Sequence, residues 1–110
     1  MSMNSIEVYF RVAFASRTPF VLLLDRRYTP LQREAVIAVL KEFKPGPYTR
    51  ETFDCDDFAS AFKGRVGHGI GIAISPRHAW NIALCTDGVW HIEPQTGAFR
   101  RRKTAVLIIL

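Results

Sequence analysis

Cys55, His78 and Glu93 supply a thiol, an imidazole and a carboxylate, the side-chain types that together perform acyl transfer. That chemistry needs a thiolate to attack a carbonyl, an imidazole to share and return the proton, and a third group to hold the imidazole. Cys55 stands at the head of Asp54-Cys55-Asp56-Asp57-Phe58-Ala59, which reads as a helix start, and free amides and the positive end of a helix dipole favour a thiolate there. His78 and Glu93 fall on apolar runs, 78–85 and 89–93, separated by Thr86-Asp87-Gly88, and Asp-Gly between such runs signals a hairpin. If Asp87-Gly88 is the two-residue loop, Glu93 lies opposite Ile82 and Gln95 opposite Trp80, diagonal to His78. Either Glu93, brought nearer by strand coiling or a bulge, or the amide of Gln95 then orients the ring. His91, on the strand and face of Glu93, and His68 are the alternative bases, and the Cys55 amide with Asn81 or a glycine-loop amide would serve a developing oxyanion.

The elements that must position these groups follow from periodicity. Ile6, Val8, Phe10, Val12 and Phe14 alternate with Glu7, Tyr9, Arg11 and Ala13, which predicts a half-buried strand. Phe20 to Leu24 reads as a short buried strand. Thr29-Pro30 predicts a helix start, and apolar positions from Leu31 to Phe43 recur at helical spacing until Lys44-Pro45-Gly46-Pro47 breaks them. A second helix follows with Thr52 or Asp54 as cap, Phe58, Ala59 and Phe62 inward, and Gly64 at its end. Gly64, Gly67, Gly69 and Gly71 do not form a phosphate cradle, because a strand rather than a helix follows; they let the backbone pass close to the Cys55 helix. Residues 104–110 predict a buried strand that closes the sheet.

Composition bounds the rest. A chain of 110 residues with 48% hydrophobic and 23% charged residues suits one self-sufficient domain spanning 1–110. No apolar run approaches the roughly 20 residues that cross a bilayer, and no basic leader precedes an apolar segment, so a cytoplasmic protein without membrane association is expected. Two cysteines, Cys55 and Cys85, do not make a disulfide framework, and the histidines lack the paired spacing of a zinc site. The net charge of +5 is concentrated in Arg100-Arg101-Arg102-Lys103, which reads first as a solvated turn before the last strand and second as a surface for acidic partners.

His78-Ala79-Trp80, Asp87-Gly88, Trp90 and Glu93-Pro94 resemble the histidine hairpin of transglutaminase-like proteins in the papain-like superfamily, and Cys55-Asp56-Asp57-Phe58-Ala59 resembles their nucleophile helix. The resemblance covers about residues 54 to 97 and implies Cys55 as nucleophile, His78 as base and Glu93 in place of the usual aspartate. Cys55-Asp56-Asp57 with Glu93-Pro94-Gln95 is also similar to the C-terminal domain of a fungal galactose-binding agglutinin, a papain-like protease. That similarity implies Asp56, Asp57 and Gln95 as calcium ligands, oxygen donors of the kind a hard cation prefers; alternatively the two aspartates complement the helix dipole. The chain departs from the superfamily in placing Thr49 where the oxyanion glutamine stands.

The expected fold is α+β, a small papain-like domain with an antiparallel sheet packed against two helices. The expected function is a cysteine hydrolase or acyltransferase acting on a protein or peptide substrate, with no required cofactor and calcium as an optional ligand. The competing reading is a non-catalytic interaction module on the same scaffold. Nucleic-acid binding through Arg100 to Lys103 is the weakest alternative, and homo-oligomerisation is left open.

Overall fold

Asn4 opens the chain's first helix by accepting a hydrogen bond from the Glu7 backbone N–H at 2.9 Å. In the computed structural model, which describes residues 2–47, 49 and 54–110, that helix spans Ser5–Ser16 (α1) after a short strand, Met3–Asn4 (β1). The strand expected over residues 6–14 is therefore a helix. Val8, Val12 and Ala15 face the core while Ile6, Phe10 and Phe14 recur every fourth residue on the opposite side, so a helix apolar on both sides imitates an alternation of two.

The remaining elements are Val21–Leu22 (β2), Arg27–Tyr28 (β3), Arg33–Glu42 (α2), Cys55–Val66 (α3), Ile70–Ser75 (β4), His78–Cys85 (β5), Gly88–Glu93 (β6), Ala98–Arg100 (β7) and Leu107–Ile109 (β8). β1 and β3 form a two-stranded sheet, and a six-stranded sheet runs β2-β8-β4-β5-β6-β7. Its neighbours are antiparallel except β2 and β8, which are parallel. Against the expectation of an antiparallel sheet backed by two helices, the sheet is mixed and carries helices on both faces. Val8 and Val12 of α1 pack with Trp80, Ile82, Leu84, Ile108 and Leu110 on one face; Val36 of α2 and Phe62 of α3 pack with Ile70, Ala83, Cys85 and Ile92 on the other. Among the described residues no helix is long and apolar enough to cross a membrane.

Residues 20–24 do lie in the sheet but at its edge, with Phe20, Leu22 and Leu24 exposed rather than buried. α2 begins later than Thr29-Pro30 predicts because Leu31 is held in backbone pairing with β5, donating to Leu84 O at 2.8 Å and accepting from Thr86 N at 2.9 Å. Thr52 lies outside the described residues, and Asp54 is the N-cap residue of α3, which continues past Gly64 to Val66. Gly71 also passes close to β8: a Cβ there would lie 2.5 Å from Ile109 O.

The hairpin register differs from the expected one by two residues. Cys85 pairs with Gly88 and Asn81 with Ile92, so Thr86-Asp87 is the loop and Gly88, at φ 128°, closes it. Continuing that register puts Glu93 beside Trp80 instead of Ile82, one diagonal from His78.

Candidate functional site

That register brings His78 and Glu93 together. His78 Nε2 and Glu93 Oε2 are 2.6 Å apart, a short hydrogen bond between half-buried side chains, so Glu93 orients the ring. Gln95 does not: it is exposed in the turn after β6 and lines a cavity of about 510 Å³ with Ile37, Leu40, Phe43 and Phe99. The His78 ring stacks on Trp80 with centroids 5.7 Å apart, which places the pair on the α1 side of the sheet with Trp80 and Ile82.

His91, on the same face, is a core residue and no base. It is 2% exposed, and its Nδ1 sits 2.9 Å from Trp80 Nε1 while its Nε2 sits 3.0 Å from Ala15 O. An indole N–H only donates, so Nδ1 must accept, and Nε2 must carry the proton that reaches the carbonyl. Burial foremost, with the nearby Lys103 charge adding, holds this imidazole below its ordinary pKa, partly opposed by the bond to Ala15. His68 is exposed, accepting from Thr29 N at 3.1 Å and stacked on Tyr28 at 5.3 Å.

Cys55 is a free, half-buried thiol in the first turn of α3, as its sequence position predicts. α3 lies against the sheet face opposite Trp80, tied there by Asn81, whose Nδ2 donates to Ala59 O at 2.8 Å and Gly71 O at 3.0 Å. Among the described residues the Cys55 thiol makes no hydrogen bond to His78 or Glu93. The Asn81 amide, fully committed to two carbonyls, is not available to an oxyanion. Cys85 is buried and unpaired, its thiol pushed up to about 11 chiefly by desolvation.

Of the residues expected to hold calcium, Asp56 and Asp57 join a carboxylate cluster with Asp54. Asp54, Asp56 and Asp57 gather their carboxylates within 4.8 Å of one another, whereas Gln95 lines the cavity beside α2. Asp57 also accepts from Asp54 N at 3.2 Å, so part of the cluster's work is helix capping. The Asp54 carboxyl is raised above its ordinary pKa, first by a side-chain hydrogen bond with Asp56, then by desolvation and the two neighbouring charges. Three crowded carboxylates offer oxygen donors of the kind a hard cation prefers, Asp54 among them.

The basic cluster is organised by aromatic rings in a way its run of charges does not disclose. Arg101 lies 3.9 Å from the Trp90 ring centroid, Arg102 4.2 Å from Phe14 and Lys103 4.3 Å from Trp80. Lys103 and Arg100 thereby border a cleft of about 270 Å³ lined also by Trp80, His91, Glu93 and Thr96. The turn that follows Glu93 separates this basic cleft from the more apolar cavity at Gln95.

No family model and no curated protein sequence matches the chain. Solved structures do. The chain is similar over 99% of its length to 50% of a chain titled "PSL1a-E64 complex", at TM-score 0.82 and 24% identity. It is similar over 99% of its length to 49% of a chain titled as Polyporus squamosus lectin bound to the human-type influenza-binding epitope Neu5Aca2-6Galb1-4GlcNAc, at TM-score 0.78 and 24% identity. The chain thus spans about half the length of the solved chains it matches, and it shares their fold.

These matches correct the reading of the chain as a papain-like or transglutaminase-like cysteine peptidase, hydrolase or acyltransferase with a thiol nucleophile and a catalytic triad. One of the solved chains of this fold is titled as a lectin bound to a carbohydrate epitope, which supports an interaction module in place of that reading. A hairpin of the expected kind does pair His78 with Glu93, but strand alternation directs that pair to the α1 face while the Cys55 helix packs on the other.

Proposed function

We propose that the chain is a non-catalytic interaction module that engages an anionic group of its partner at the basic cleft beside β7. The observation that carries this reading is the convergence of Arg100 and Lys103 on one cavity, with Lys103 held over Trp80. Glu93 is the cavity's acidic lining residue, and it is already engaged by His78. A carboxylate entering the cleft would meet two cations and an indole edge without displacing that pair. The likeness to half of a lectin chain supports an interaction role, since that lectin is described with a carbohydrate epitope carrying an acidic Neu5Ac residue.

The test is titration of the chain with Neu5Aca2-6Galb1-4GlcNAc and with an acidic peptide, followed by tryptophan fluorescence. Binding of either probe that weakens with added salt, and weakens at least tenfold in Arg100→Ala/Lys103→Ala, supports the reading. Absence of binding to both, or equal binding by the double variant, overturns it. For calcium, we propose that Asp54, Asp56 and Asp57 hold the ion, where it would neutralise the helix start and leave the basic cleft untouched.

A further inference from the structure

β7 closes the six-stranded sheet at the end opposite β2, and among the described residues no strand pairs with its outer side. Alternation divides its three residues between the two faces. Phe99 is half-buried on the α2 side, where it lines the cavity of about 510 Å³ with Ile37, Leu40 and Phe43. Ala98 and Arg100 are exposed on the other face and line the basic cleft of about 270 Å³ with Lys103. One open edge thus runs between two cavities, the first mainly apolar and the second cationic.

The register decides which peptide groups this edge offers. Cys85 and Gly88 close a two-residue loop, so Gly88, Trp90 and Ile92 turn their N–H and C=O groups to β5, while His91 and Glu93 turn theirs to β7. Gly97, at φ 81°, donates to Glu93 O at 2.7 Å, in keeping with that parity. Phe99 stands opposite Ile92, whose groups are spent on β5, so the Phe99 N–H and C=O point away from the sheet. Ala98 N–H is taken by Thr96 Oγ1 at 3.3 Å, and Arg100 pairs with His91. Phe99 therefore presents a donor and an acceptor to an extended chain that comes alongside.

We infer that an extended peptide adds to this edge antiparallel to β7, and that its signature is an acidic residue followed by an apolar one. This rests on the anion reading of the cleft and names the partner that carries the anion. The peptide residue opposite Phe99 exchanges two backbone hydrogen bonds with it, and side chains of directly paired residues share a face. That side chain therefore enters the apolar cavity, walled by Leu40 and Phe43. In antiparallel sense the preceding peptide residue lies opposite Arg100, on the other face, where its carboxylate meets Arg100 and Lys103. Backbone pairing supplies affinity, and the two cavities select the side chains. A glycan has no peptide group for Phe99 and no side chains that alternate between the faces.

The test titrates the full chain with a short acetylated and amidated peptide in which one glutamate is followed by one leucine among serines. The comparison probes are the same peptide N-methylated at the leucine, the same peptide with that leucine replaced by serine, and Neu5Aca2-6Galb1-4GlcNAc. N-methylation removes the donor to Phe99 C=O and the serine empties the apolar cavity, so each should raise the dissociation constant about tenfold. Saturation with the parent peptide should also slow hydrogen exchange at the Phe99 amide about tenfold and leave the Arg100 amide, already paired, little changed. Equal binding of the N-methylated peptide, or unchanged exchange at Phe99 in the complex, overturns the inference. If the acidic probes nevertheless weaken in Arg100→Ala/Lys103→Ala, the anion reading of the cleft stands without it. Binding of the glycan alone, lost in that double variant, likewise overturns strand addition and keeps the anion reading, whereas no binding by any probe overturns both.

Discussion

Replacing His91 by glutamine should flatten the pH dependence of folding stability. Glutamine keeps an acceptor for the Trp80 N–H and a donor for Ala15 O, at 2.9 and 3.0 Å in the native site, but cannot take up a proton. In the wild type, protonating Nδ1 would set two N–H groups against each other and bury a cation near Lys103, so the folded pKa lies below the ordinary 6.5. As pH falls through 6.5 the unfolded chain gains a proton that the native state refuses, and the unfolded state binds more protons. Stability is therefore present above 6.5, is lost with acidification through the window between the two pKa values, and declines at up to about 1.4 kcal/mol per pH unit. The assay is urea unfolding at half-unit steps from pH 7.5 to 5.5, reading the wild type against His91→Gln. Across the lower unit the wild type should lose measurably more stability than the variant, while at pH 7.5 the variant is weaker by about 1 kcal/mol from imperfect hydrogen-bond geometry. Parallel profiles would refute the argument, because they would mean that His91 titrates alike in both states.

Further outcomes follow from the same structure. Asp56→Asn should raise the melting temperature at neutral pH without added metal, by removing the neighbour that raises the Asp54 carboxyl; added calcium should stabilise the wild type and leave the variant unmoved, and a calcium response in both would count against the aspartate cluster. Asn81→Ala should cost about 1–3 kcal/mol in denaturant unfolding, since the buried Ala59 and Gly71 carbonyls both lose their donor; a cost near zero would show that α3 is held otherwise. Cys85 should resist a thiol reagent in the folded chain until denaturant is added, its thiol being buried and raised to about 11, and rapid native labelling of Cys55→Ser would contradict that.

Local signals carried much of this fold and missed where they were degenerate. The helix begun at Asp54, the hairpin around Asp87 and the strand after Gly69 were legible because turn residues and caps act over a few positions. The first helix reads as a strand because its apolar residues occupy both sides, yet Asn4 followed three residues later by Glu7 is a helix-start signature. The two-residue register shift depends on which of Thr86, Asp87 and Gly88 closes the turn. Gly88 takes a positive φ inside the closing pair, which the Asp-Gly pattern does not distinguish from a position in the loop. That shift, paradoxically, improved the expected contact between His78 and Glu93. Which sheet face the Cys55 helix covers was not legible, because it depends on long-range packing. The same holds for Arg101, Arg102 and Lys103, whose aromatic partners Trp90, Phe14 and Trp80 come from elsewhere in the chain.

The interaction reading rests on cations rather than on the thiol, and one comparison separates the two. Calorimetric titration of an acidic probe into Cys55→Ser and into Arg100→Glu/Lys103→Glu should give a dissociation constant within twofold of wild type for the first and no measurable binding for the second. Loss of binding in Cys55→Ser with retention in the charge-reversed chain would contradict it.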